Sequence, residues 1–154
     1  MAVEKITSFT INHNILEPGF YISRIDGDIT TYDIRTRKPN AGDYMSNLTM
    51  HSVEHMVATY MRNSEIKDDV IYFGPMGCQT GFYLLIRNQD PIKVFEVYKK
   101  VLKQIIDHEG DVFGKSAIEC GNFENLDINE AKKEAAKDLQ ILNNFTNMEF
   151  TYPE

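Results

Sequence analysis

The run PGFYISRIDGDITTYDIRT, Pro18 to Thr36, reads as two strands and the turn that reverses the chain between them. β-Branched and aromatic residues fill Pro18 to Ile25 and Asp28 to Thr36. Between them Asp26-Gly27 is a hairpin signal, because glycine enters the left-handed backbone region without steric cost. A second strand pair follows the same grammar. DVIYFG (Asp69 to Gly74) and TGFYLLIR (Thr80 to Arg87) flank the tight segment Pro75-Met76-Gly77-Cys78. Strand pairs joined by short turns predict an antiparallel sheet.

Helices are expected in three places. KPNAGD (Lys38 to Asp43) is loop by composition. After it, Leu48, Met50, Val53, Met56, Val57, Tyr60 and Met61 recur at helical spacing over roughly Asn47 to Arg62, with Ser46 or Asn47 as cap. Asp90 and Pro91 open a second helix whose buried stripe is Ile92, Phe95, Tyr98, Leu102, Ile105 and Ile106, with Gly110 as its stop. Asp127 caps a third, about Ile128 to Asn143. The expected fold is α+β, an antiparallel sheet with helices packed on one face in a two-layer sandwich, and one domain spans residues 1–154.

Bulk properties exclude several functions. The net charge of −7 provides no basic stripe for displacing counterions from phosphates, so no nucleic-acid partner is expected. No apolar run reaches the length of a membrane span, and MAVEKITSFT has charged residues where a secretory signal needs an apolar stretch. A cytoplasmic protein with reduced thiols is expected, since Cys78 and Cys120 are the only cysteines.

The chemistry gathers on the first helix. In His51-Ser52-Val53-Glu54-His55 the two histidines are four residues apart, one above the other on one helix face, so both imidazoles reach a single ion. Glu54 shares that face and suits acid–base work beside the metal. The order H-x-x-E-H is that of inverted zincins. Two histidines on a half-buried helix face, held by ordinary hydrogen bonds, would be the plainer reading of the pair. Cys120, in the turn Glu119-Cys120-Gly121-Asn122, is the natural third ligand; its neighbours are not core residues.

Cys78 sits in GPMGCQTG, where a structural hairpin explains the glycines but not the thiol. It is either a second metal thiolate or a catalytic group. If both cysteines bind, the site is a closed His2Cys2 structural zinc and Glu54 has no task. If only Cys120 binds, one coordination position stays open for substrate, and this version is favoured. A metallopeptidase would instead recruit Glu130 or Glu134 from the last helix as third ligand, although the run EAKKEAAK reads as a solvated face.

HSVEH, GPMGCQTGFYLL (Gly74 to Leu85) and ECGN (Glu119 to Asn122), in that order and at these separations, resemble the S-ribosylhomocysteine lyases, the LuxS-type autoinducer-2 synthases. SFTINH (Ser8 to His13) and YDIRTRKPN (Tyr32 to Asn40) extend the resemblance over nearly the whole chain. It implies cleavage of S-ribosylhomocysteine to homocysteine and 4,5-dihydroxy-2,3-pentanedione, the autoinducer-2 precursor, a step of quorum sensing and of the activated methyl cycle. It implies one divalent metal per subunit, natively Fe2+ with Zn2+ or Co2+ as substitutes, on His51, His55 and Cys120. Cys78 and Glu54 would be the acid–base pair, and Ser8, His13 and Arg35 would contact substrate, Arg35 at the homocysteine carboxylate. The resemblance also implies a homodimer with active sites at the subunit interface.

Overall fold

The computed structural model describes residues 2–154. Strands β1 (Gly19–Asp26) and β2 (Ile29–Arg35) form the expected hairpin, with Asp26 opposite Ile29. Gly27 takes the turn at φ +63°. Strands β3 (Val70–Pro75) and β4 (Gly81–Arg87) form the second pair, and the sheet order is β1-β2-β4-β3, antiparallel throughout. Helices α1 (Asn47–Met61), α2 (Pro91–Ile106) and α3 (Ile128–Asn143) cover one face.

Strand alternation decides which side chains enter the core. Phe20, Tyr32, Ile34, Phe82, Leu84 and Ile86 point to the helices and are buried there. Phe20 packs edge-on against Phe95 of α2, with ring centroids 5.3 Å apart. Each helix start is capped by a side chain: Ser46 accepts from the Thr49 N–H, Asp90 from Ile92 and Asp127 from Asn129. The α2 stripe differs from expectation at its start and in its width. Ile92 is 49% exposed, while Val94, Val97 and Val101 are buried. Packed against both α1 and α3, α2 buries a wider arc than one sheet-facing stripe needs. The helix also stops at Ile106, ahead of Gly110. Among the described residues no helix is long and apolar enough to cross a membrane.

The opposite sheet face is not simply solvated. Asp33 and Arg35 point outward from β2 yet are buried, under the C-terminal residues. Phe150 O accepts from the Ile22 N–H at 2.7 Å, and Tyr152 stacks on Tyr21 with centroids 5.1 Å apart. The tail thereby covers part of the β1 edge, which would otherwise offer unpaired backbone groups.

A second buried polar group lies under α3. Glu134, expected on a solvated face, accepts two hydrogen bonds from the Arg37 guanidinium, at 2.6 and 2.8 Å, and is 4% exposed. One turn later, Asp138 is 2% exposed, and burial together with Glu134 pushes its pKa up to about 8. The Tyr98 hydroxyl donates to it. The unfolded chain releases that proton near pH 4. Between about pH 4 and about pH 8 the native state therefore binds more protons, so this group's contribution to stability falls as pH rises through the window. Asp138→Asn should remove that slope. Urea titrations of both proteins at about pH 5 and about pH 8 test it.

Candidate metal centre and active site

On α1, His51 and His55 present their rings edge to face, with centroids 4.7 Å apart. Each ring is aimed by a main-chain carbonyl. The His51 Nδ1–H donates to Asn125 O and the His55 Nδ1–H to Phe113 O, both at 2.8 Å. A carbonyl can only accept, so the proton lies on Nδ1 in each ring and Nε2 is left as a lone-pair donor. Cys120 Sγ lies 3.5 Å from His51 Nε2, and ligating atoms of His51, His55 and Cys120 all fall within 4.8 Å of one another. The Asn122 backbone N–H points at the sulfur from 3.4 Å. Two imidazole Nε2 atoms and a thiol sulfur, converging while each ring's Nδ1–H is turned away to a carbonyl, fit a divalent transition metal.

The supporting loops belong to the site. Ser52, fully buried on α1, accepts from the Asp127 N–H, which anchors the start of α3 just after the Asn125 carbonyl. Gly114 has φ +74°, and a Cβ there would stand 3.1 Å from His55 Nδ1. Gly114→Ala should therefore displace the Phe113 carbonyl from His55. Metal affinity should fall about tenfold to a hundredfold, as when a ligand loses its supporting hydrogen bond, and chelator competition measures it.

Cys78 stands outside the converging group, so the His2Cys2 arrangement is not formed. The peptidase ligands are absent too: Glu134 is committed to Arg37, and Glu130 accepts from the Thr49 hydroxyl. Cys78 is exposed at the β3–β4 turn, and Gln79 beside it has φ +65°. With His13, Pro39, Asn40, Tyr44 and Thr80 it lines a pocket of about 260 Å³. Glu54 is half-buried on α1, next to His55.

Ser8 lies elsewhere, in a hollow on the outer sheet face with Tyr72 and Tyr83. Arg35, expected at a substrate carboxylate, is 2% exposed with its fork closed on Asp33. Its Nη1 donates to Thr80 Oγ1 at 2.9 Å and lies 3.9 Å from Cys78 Sγ. Thr80 Oγ1 is itself 3.0 Å from that sulfur. Burial lowers the Arg35 pKa, and the Asp33 carboxylate more than restores it. Thr80 and Asp33 were missed as site residues. The YDIRT run held the only signal for Asp33, an acid two residues before the arginine on the same strand face.

The family model for S-ribosylhomocysteinase (LuxS) matches residues 6–149. The chain belongs to the LuxS family. Among its relatives, the S-ribosylhomocysteine lyase of Clostridium beijerinckii is 44% identical, over 98% of this chain and 99% of the relative. That of Finegoldia magna is 40% identical, over 99% and 100%. That of Borrelia garinii subsp. bavariensis is 41% identical, over 98% and 100%. In LuxS terms, the matched span contains every candidate residue described above, from Ser8 to Cys120.

Proposed function

We propose that this protein is an S-ribosylhomocysteine lyase, releasing homocysteine and 4,5-dihydroxy-2,3-pentanedione. The observation that carries the reading is the convergence of His51, His55 and Cys120 on α1 and its facing loop, with Glu54 on the same helix. These residues would hold one divalent metal, Fe2+ natively, which supplies Lewis acidity to the sugar oxygens.

The chain's own groups do the proton work. Moving a carbonyl along the ribose requires a proton taken from one carbon and delivered to its neighbour. Glu54 and Cys78 share this task, each alternately base and acid. When the ketone is two carbons removed from the carbon that bears sulfur, abstraction of the proton on the carbon between them expels homocysteine by β-elimination. His13, in the pocket with Cys78, contacts substrate there. Arg35 acts from behind the thiol, with Nη1 as its one donor not bound to Asp33.

Ser8 completes the site through a partner copy. Ile6, Phe9 and Tyr72 expose apolar surface around the sheet hollow that contains Ser8. A homodimer joined at this face brings one subunit's Ser8 to the other's pocket. The enzyme works in the cytoplasm, where its product feeds autoinducer-2 synthesis and homocysteine re-enters the methyl cycle.

The test is thiol release from S-ribosylhomocysteine by anaerobically prepared, metal-loaded protein, with Cys78→Ala and Glu54→Gln alongside. Homocysteine from wild type alone supports both the activity and the acid–base pair. No release from fully metallated wild type overturns the assignment.

A further inference from the structure

We propose that Tyr152, in the C-terminal tail, is a positioning residue for the Cys78 thiol, acting through Asp33 and Arg35. The inference rests on the reading of Cys78 as an acid–base group and adds a control on it from the far end of the chain.

The contacts form one line. The Tyr152 hydroxyl donates to Asp33 Oδ2 at 2.7 Å. Asp33 accepts from Arg35 Nε at 3.1 Å and from Nη2 at 2.5 Å. That grip leaves Nη1 to donate to Thr80 Oγ1 at 2.9 Å and to face Cys78 Sγ at 3.9 Å, while Thr80 Oγ1 and the sulfur are 3.0 Å apart. Asp33 and Arg35 are both at least 98% buried, so water cannot replace a lost partner. The Tyr152 hydroxyl stays protonated, because burial first and the Asp33 carboxylate second push its pKa well up. Tyr21 from β1 and Tyr83 from β4 are the other titratable groups that face the pair, and burial raises both.

The direction of the effect follows from charge. The Tyr152 hydrogen bond takes up part of the Asp33 charge, which leaves more of the Arg35 field for the sulfur. Without the hydroxyl, Asp33 draws the guanidinium more strongly to itself, and Nη1 supports the thiolate less. Tyr152→Phe deletes only that oxygen and keeps the ring stacked on Tyr21.

The experiment measures iodoacetamide alkylation of Cys78 in full-length, metal-loaded protein, where Cys120 is ligated and Cys78→Ala is the blank. At about pH 7, Tyr152→Phe should react about threefold to tenfold more slowly, the change expected from losing one hydrogen bond. At about pH 10, where an ordinary thiol is ionised, the two rates should converge. In turnover, kcat should fall with KM unchanged. Equal rates at about pH 7, a faster variant, or slowing that persists at about pH 10 would each overturn the proposal, since each leaves the tail as packing or shielding alone. Alkylation does not require turnover, so the relay is tested even if S-ribosylhomocysteine is not cleaved.

Discussion

Cys120→Ala is expected to emerge from purification folded but without metal, and inactive in thiol release. Two imidazoles remain, each still held by its carbonyl, but the soft anionic ligand is gone. Structural zinc sites draw about 10–16 kcal/mol from four ligands, so one ligand is worth roughly 3 kcal/mol, or about a hundredfold in affinity. Fold retention follows from the core. Phe20, Tyr32, Met56, Leu84 and Tyr98 are fully buried between sheet and helices and do not depend on the ion. Far-UV circular dichroism should match wild type while elemental analysis shows a loss of bound metal. Full metal in Cys120→Ala would place the ion on other ligands. Unfolding of wild type by a chelator would return the site to a structural role.

Cys78→Ala is expected to behave in the opposite way, with metal content unchanged and turnover lost. The thiol is exposed at a turn and stands outside the converging ligands, so its removal leaves neither a core cavity nor an open coordination position. Removing a positioned acid or base costs about 10²–10⁴ in rate. The variant should keep a melting temperature close to wild type and bind substrate, with the loss confined to kcat. If Cys78→Ala turned over at the wild-type rate, proton transfer would have to be assigned to Glu54 and other groups. If it lost its metal instead, Cys78 would be a ligand in solution.

Local pattern carried much of this architecture. The hairpin at Asp26-Gly27, the second strand pair around Cys78 and all three caps, Ser46, Asp90 and Asp127, lie where residue type and spacing put them. The His51–Glu54–His55 face is equally local, because four residues along a helix return to the same side. Cys120 belongs to a different class of information. Its turn, flanked by residues that are not core formers, and the family resemblance marked it as a third ligand, but 69 residues separate it from His51 and nothing local brings the two together.

What the chain's own order could not reveal are the contacts whose partners lie far apart in it. Asp33 and Arg35 occupy outward positions of a half-buried strand, where polar residues normally meet water. The tail folds back over 119 residues to bury them. Glu134 sits in a run that reads as a solvated helix, and Arg37, 97 residues earlier, turns it inward. Secondary structure and the helical half of the metal site follow from short-range sterics and hydrogen bonding, which are written into consecutive residues. The third ligand's approach, the buried ion pairs and the surroundings of Cys78 arise only when the layers pack, because burial depends on what covers a residue and no local periodicity encodes that.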